Sequence, residues 1–523
     1  MRAVRTSLQL LLATFIMQVF DAGPAGALTP IYGGGDAVTA AALDTFGQCL
    51  GSQNNANPDL ATATGAGCVA VTTPAYDYLN IGTSSADALA ALITEIAPTT
   101  AALPGSTPTD SNFASYPYPS WQLAVSDIPI DSPAPGAGAP YYANGYNTAL
   151  AAKRGRIWQI PVGAEAIAFP YNLPTTAFTT TTTNYAGAVF GTGFYPDLTA
   201  TASVAAPSGG TASLPRLDLS PDMLCYIWTQ HRANGAAVAG SYTWDNPIFT
   251  GVRVTRAGRT RQTNYDANLI AGSVAGLPIL PVTIANSGKT YLLTLWLRRN
   301  CAGYGTAGFS APAATASFPG FVIAAGLSAS DPTAAVALIA SHPGAIGYAT
   351  PDAVAPFASA GLPAAFVLAG RQKTVNPSAL FLYPSSTAIA PALATLKLPQ
   401  NLAATSWGAR LDRLLFNQSS KTLGYPVIGF SYLMGYTCYL NDSPHDELTG
   451  VAAVVNFLGD PKAAAIISSL GIAPLTSSQY AGEASLAAAN LTGVSATPSL
   501  VGGAIVGGST KCPAFASDPA DYQ

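Results

Sequence analysis

Ser287, Gly288, Lys289 and Thr290 stand in a row between two differently patterned stretches. A hydroxyl, a glycine that lets another group approach the main chain closely, and a formal positive charge together suit the capture of an anion. Before them Ile279, Leu280 and Val282 form a strand-like apolar run, and after them Leu292, Leu293, Leu295, Trp296 and Leu297 recur at helical period. The tract therefore reads as strand, small-residue turn and helix N-terminus. The first N–H groups of a helix have no intrahelical partner and lie at the positive end of its dipole, so such a turn can hold an anion. A nucleotide-hydrolase phosphate loop would need a glycine at position 283, where Thr283 stands. Lys289 admits two readings: a charge aimed at an anion, or an ordinary solvated residue of the first helical turn.

Two other tracts share this form. Ile31-Tyr32 leads through Gly33-Gly34-Gly35, read as a glycine turn, to Asp36-Ala37-Val38 and a helix ending near Leu50. Tyr78 to Ile81 leads through Gly82 to Thr83-Ser84 and an Ala/Leu-rich helix, with Thr83 or Ser84 as N-cap and Asp87 in the first turn. Three such junctions suggest helix N-termini converging on one anion. Asp127 closes the run Leu123 to Ser126 before Pro129, at a strand's carboxyl end, where open α/β sheets place ligand residues. An Asp that merely caps a turn is the bland alternative.

The elements that must position these residues are also visible. Residues 156–174 read as a long strand pair, followed to about Leu214 by a low-charge Thr/Ala/Gly-rich insertion of loops or irregular strands. Ser220-Pro221 starts a helix with Ser at N-cap and Pro at N1, and Trp244-Asp245-Asn246-Pro247 is a turn. Asp331-Pro332 opens an alanine-rich helix to His342, Pro343 to Tyr348 returns as a strand, and Gly424 to Leu433 is another long strand. Helices near 446–458 and 461–470 follow, the second closed by Gly471.

The chain has 523 residues, 49% of them hydrophobic, enough for a sizeable core and two or three domains. Only 9% are charged, the net charge is −4 and no Lys/Arg run occurs, which leaves nucleic-acid binding without an electrostatic footprint. Arg2 and Arg5 precede an apolar run from Leu8 to Phe20 that closes on Ala25-Gly26-Ala27, so residues 1–27 read as a cleaved signal peptide without a lipid-anchoring cysteine. No other tract holds the roughly 18 apolar residues of a membrane span. Export suits disulfides among Cys49, Cys68, Cys225, Cys301, Cys438 and Cys512, whose fifteen possible pairings stay open apart from a local Cys49–Cys68 staple. Their spacing is not that of metal ligands, and with 3 His a zinc site is not expected. No cofactor is expected either. His231, His342 and His445 lie far apart and read as surface or capping residues, and Glu165, in an apolar strand, as a satisfied hinge carboxylate.

In their order these motifs resemble the phosphate-binding receptors of bacterial ABC importers and their secreted DING-like relatives, over most of the mature chain. Gly33-Gly34-Gly35 resembles the family's N-terminal glycine turn, Ile81 to Ser84 its Gly-Ser-Ser turn, and Val125 to Pro129 its Ser-Asp-x-Pro strand end. Ile160 to Pro174 resembles the crossover into the second domain, and Leu219 to Trp228 with Thr243 to Pro247 its helix and Trp-Asn-Asp-Pro segment. Ser287 to Thr290 falls on its Gly-Ser-Gly-Thr turn, Pro343 to Tyr348 on its Pro-Gly-x-Ile-Gly-Tyr strand, and Tyr425 to Leu433 on its returning strand.

The resemblance implies an α/β, two-lobed periplasmic-binding-protein type II fold with two strand crossovers. Lobe one would be 28–165 plus 427–523, and lobe two 166–426. It implies a Cys225–Cys301 bridge, with Cys438–Cys512 as the remainder. It also implies an exported, periplasmic or secreted monomer that holds phosphate or a similar small oxyanion between the lobes, with an ABC-type permease as partner. Carried over by position, the ligand residues are Ala37 and Val38 through their N–H groups, then Thr83, Ser84, Asp127, Ser287, Gly288 and Lys289. Asp127 would accept the proton of a protonated phosphate and so select against sulfate. Thr283 and Ala285 stand where the family keeps an arginine and an aspartate, which removes a bidentate anion fork. Two further functions are weighed. A secreted phosphatase on the same scaffold lacks a metal cluster, a Gly-x-Ser-x-Gly turn and a Ser/His/Asp constellation in this sequence. A surface protein that has lost its ligand is favoured by the low charge and the missing arginine.

Overall fold

The structure is a computed structural model. It describes residues 29–50, 65–68, 76–94, 121–130, 146, 149–150, 154–174, 202–205, 211–214, 217–250, 269, 271–284, 287–301, 326–351, 353–354, 364–368, 381–396, 415, 419, 424–439, 447–479 and 504–506. The signal-peptide residues 1–27, Ala285 and Cys512 lie outside this set.

A large mixed sheet is built from both ends of the chain. Its strands are β1 (Thr29–Asp36), β2 (Tyr76–Thr83), β3 (Leu123–Ser126), β4 (Ile157–Ala166), β13 (Ile428–Tyr436), β14 (Ala473–Pro474) and β15 (Ala504–Val506). Strand order is β14-β4-β13-β3-β1-β2, with β15 also on β4. Strand β1 runs parallel to β2 and β3, whereas β13 is antiparallel to both β3 and β4. Helix α1 (Ala37–Leu50) follows β1 directly, and α2 (Ser85–Thr94) follows β2 after one residue. Both sheet faces are covered, so β3, β4 and β13 are buried along their whole lengths and are mostly apolar, with Gln159, Glu165 and Ser431 as buried polar exceptions in β4 and β13.

Gly33 to Gly35 form the last part of β1 rather than a turn, paired with Asn80 to Gly82 on one side and Leu123 to Val125 on the other. The reason is close packing. A Cβ on Gly34 would meet the Trp121 ring at 2.8 Å, and Gly35, at φ +139°, would drive one into the Val125 carbonyl. Gly82 likewise lies within β2, which leaves Ser84 as the only residue between strand and helix.

The second lobe carries smaller sheets. Strands β8 (Leu280–Ile284), β9 (Leu327–Ala329) and β10 (Ala345–Ile346) are parallel in the order β10-β8-β9. Strands β7 (Asp218–Leu219), β11 (Phe366–Leu368) and β12 (Phe381–Leu382) form another sheet. Within the stretch read as an insertion, β5 (Ala202–Ala205) and β6 (Thr211–Leu214) make an antiparallel hairpin. Helix α3 (Pro221–Thr229) begins at N-cap Ser220 with Pro221 at N1, as its sequence predicts. Short α4 (Pro247–Thr250) follows the Trp244 to Asn246 turn, and α5 (Gly288–Asn300) follows β8. Helix α6 (Pro332–Ser341) is capped by Asp331, and α7 (Ser386–Ala394) by Ser385. Helices α8 (Glu447–Phe457) and α9 (Pro461–Ser469) return to the first lobe and pack on α1, with Phe457 edge-on to Phe46 at 5.2 Å. No single helix among the described residues is long and apolar enough to cross a membrane.

Residues 156–174 are one strand followed by isolated bridges, not a strand pair. Strand β4 ends at Ala166, and the chain then bridges Ala349 through Ala168, Ala364 through Pro170 and Ile346 through Tyr171. The Ile167 N–H donates to the Val427 carbonyl at 2.9 Å, and the Tyr425 hydroxyl to the Ile167 carbonyl at 2.6 Å. Both segments that run between the lobes thus travel side by side. Cys225 and Cys301 form a disulfide that fastens α3 to the end of α5, and Cys49–Cys68 bridges α1 to the loop after it. Cys438 is disulfide-bonded as well.

Candidate interlobe site

Three carboxylates of the first lobe meet a lysine of the second. Asp36 ends β1, Asp127 follows β3 and Glu165 lies near the end of β4, while Lys289 is the second residue of α5. The Lys289 ammonium is completely buried, 2.6 Å from Asp127 Oδ2, in hydrogen-bond contact with Glu165 Oε2 and 3.5 Å from Asp36 Oδ2. Of the two readings of this lysine, the solvated one is thereby excluded. Its charge is directed at carboxylates.

Local structure fixes Lys289 in place. Ser287 caps α5 by accepting the Lys289 N–H at 3.1 Å, and the Thr290 hydroxyl donates to the Ile284 carbonyl at 2.7 Å. Tyr348 accepts the Ile284 N–H at 3.0 Å and lies 2.5 Å from the Thr290 hydroxyl, which ties the start of α5 to β8 and to the strand after α6. Gly288 is seated against the first lobe. A Cβ there would collide with the Ser85 hydroxyl and come within 2.5 Å of Asp127. Only glycine allows this approach.

Ser85 is the residue of the second junction that reaches the centre. Its hydroxyl accepts the Asp127 N–H at 3.2 Å, and its carbonyl accepts the Ser126 hydroxyl at 3.1 Å. Ser84 is instead occupied as a cap: it accepts the Asp87 N–H at 3.0 Å and donates to the Asp87 carboxylate at 2.7 Å. The Thr83 hydroxyl contacts the Ser84 carbonyl at 3.3 Å. Thr83, Ser84 and Val38 are half-buried and Ala37 is exposed, so these four lie outside the buried cluster. Asp127, Ser287, Gly288 and Lys289 are buried within it or at its edge.

Ser431, near the middle of β13, completes the cluster. Its hydroxyl is in hydrogen-bond contact with Asp127 Oδ1 and lies 2.7 Å from Glu165 Oε1, and it accepts the Thr39 hydroxyl at 3.0 Å. Sequence reasoning missed Asp36, Ser85, Thr39 and Ser431 as site residues. The Ser85 signal was present, as a third hydroxyl after Gly82, but adjacency to Ser84 gave no way to choose between them. Glu165, read as a satisfied hinge carboxylate, is satisfied by Lys289 and Ser431.

Burial pushes the Asp127 carboxyl well above the usual carboxylate range; Asp36 and Glu165 add to the rise and Lys289 opposes it. Burial alone would lower the Lys289 ammonium, but Asp127, Asp36 and Glu165 together carry it well above the usual lysine value. Lys289 is therefore held charged. One oxygen from each of Asp36, Asp127 and Glu165 falls within 4.8 Å of the others, a grouping of the kind that holds a cation. Lys289 supplies positive charge to all three.

No protein-family model matches the chain, and no curated protein matches it. Solved structures do. An ancestral soluble variant of the human phosphate binding protein aligns with a TM-score of 0.51 and 18% identity, over 86% of this chain and 92% of that one. The phosphate binding protein from Stenotrophomonas maltophilia aligns with a TM-score of 0.50 and 18% identity, over 88% and 94%. The chain has the two-lobed α/β fold of these phosphate-binding proteins.

Proposed function

We propose that this protein is an exported solute-binding protein that takes phosphate or a similar small oxyanion between lobes 28–165 plus 427–523 and 166–426, and presents it to an ABC-type permease. The observation that carries the reading is the meeting of two helix N-termini from opposite lobes, at Ser85 and Gly288, against buried Asp127. The likeness of the fold to phosphate-binding proteins supports it. A bound anion would draw on helix N–H groups and on the Lys289 ammonium, and Asp127, in its ionised form, would accept a hydrogen bond from the O–H of a protonated oxyanion. The signal-like residues 1–27 and the disulfides support export.

A second reading is favoured by one observation: Lys289 is already neutralised by carboxylates at the lobe junction. On that reading the scaffold stays closed and carries no solute. Calorimetry of the purified protein with phosphate, arsenate and sulfate separates the two. Binding of phosphate and arsenate but not sulfate, with discrimination lost in Asp127→Asn, is the expected result. No heat with any of the three supports the closed scaffold.

A further inference from the structure

We propose that Lys289 is an internal occupant of the interlobe site: its ammonium, delivered by α5, latches the lobes shut without solute, and an entering anion must draw it away from Asp36, Asp127 and Glu165.

Four observations lead there. First, the contacts cross the junction. The lysine comes from the segment between the two crossovers, and the three carboxylates come from the large sheet, Asp36 in β1, Asp127 just after β3 and Glu165 in β4. Second, the ammonium is completely buried and the carboxylates nearly so, which removes the solvent screening that makes surface ion pairs weak. Third, the backbone has closed on the cluster, because Gly288 is packed against Ser85 and Asp127, and the Leu292 side chain of α5 against Gly429 of β13. Fourth, the partners outnumber the lysine. Asp36 is only 7% exposed and its Oδ1 has no hydrogen-bond partner among the described residues, so the carboxylate set has capacity for positive charge beyond what one ammonium satisfies.

The chemistry follows from charge. In an anion site a lysine would wait for its ligand with its ammonium solvated or loosely paired. Here it already has charge-assisted hydrogen bonds to two carboxylates, and an incoming oxyanion offers the same kind of partner. The exchange replaces the carboxylate contacts by anion contacts and leaves the three buried carboxyls of Asp36, Asp127 and Glu165 facing the newcomer. Asp36 and Glu165 thereby become specificity-determining groups. They weaken every anion and disfavour higher charge most. What the carboxylates would accept in place of the lysine head is a small primary ammonium.

The closed state is tested on the full mature chain with no anion added. Small-angle scattering of the wild type should show the compact form, and Lys289→Ala a larger radius of gyration. Methylammonium should restore the compact radius and raise the melting temperature of Lys289→Ala, with no effect on the wild type. That rescue separates a tethered ligand from a merely structural lysine. An open wild type, a variant as compact as the wild type, or a variant indifferent to methylammonium each overturns the proposal. Should Lys289→Ala not fold, Glu165→Gln decides. Faster hydrogen exchange at the amides of residues 288–292 and 85–88 than in the wild type is expected, and unchanged exchange sinks the latch. None of these measurements contains phosphate, so the oxyanion reading can fail in calorimetry while the latch stands, and the reverse.

Discussion

Ser431 has one hydroxyl proton and faces two carboxylates, Asp127 and Glu165, while receiving the Thr39 hydroxyl. With Asp127 protonated every demand is met: Asp127 and Thr39 donate to Ser431, and Ser431 donates to Glu165. With Asp127 ionised, Ser431 can serve only one carboxylate, and Glu165 Oε1 is left to the longer 3.4 Å contact from the Thr39 hydroxyl. The upward shift of Asp127 and the hydroxyl arrangement therefore agree. The sign for stability follows. A carboxyl raised in the folded state contributes stability that is fully present below its unfolded value, near 3.8, and is lost as pH rises through its folded value. Lys289, also raised, contributes stability present below the ordinary lysine value of 10.5 and lost as pH rises through its higher folded value. Asp127→Asn, which keeps an acceptor for Lys289 and donates to Ser431, should flatten the acid-side portion of the melting-temperature profile. A mutant profile parallel to the wild type there would remove Asp127 from this role. Of this network the sequence made Asp127 legible, because a strand running into Ser-Asp-x-Pro places a carboxylate at a sheet's carboxyl end. It did not reveal the target of Lys289, since a lysine's partner depends on which lobe surfaces meet and not on its neighbours in sequence.

Helix α5 is fastened at both ends. Ser287, Thr290 and Tyr348 hold its start, and the Cys225–Cys301 disulfide ties its C-terminal end to α3. Helix position therefore determines where the lysine ammonium lies. Replacing both Cys225 and Cys301 by serine should cost about 2–4 kcal/mol in denaturant unfolding of the second lobe, the usual range for a disulfide closing a long loop. An unchanged midpoint would show that the hydrogen bonds alone fix the helix. The element-level reading of the chain succeeded where capping chemistry is local, at Ser220-Pro221, Asp331-Pro332 and the strand-to-helix step before Lys289. It failed at Gly33 to Gly35 and at Gly82, which read as turns and are strand. A glycine that avoids a steric clash with Trp121 or Val125 looks, in sequence, the same as one that turns the chain.

On the scale of the whole molecule, the residues between the crossovers form one lobe's sheets and both chain ends build the other, so the folding of the large sheet must wait for strands separated by most of the sequence. The two segments that run between the lobes also carry part of the charge cluster, with Glu165 two residues before the Ile167–Val427 contact and Ser431 on the facing strand. The interlobe connection and part of the candidate site are thus a single piece of chain. A side chain that latches the gate shut from within has a kinetic signature separate from any affinity. Solute can enter only as often as the ammonium lets go, so the observed association rate should level off with rising anion concentration instead of climbing in proportion, and the plateau should lift in Glu165→Gln. Stopped-flow tryptophan fluorescence would read that ceiling directly, as the molecule's own opening frequency.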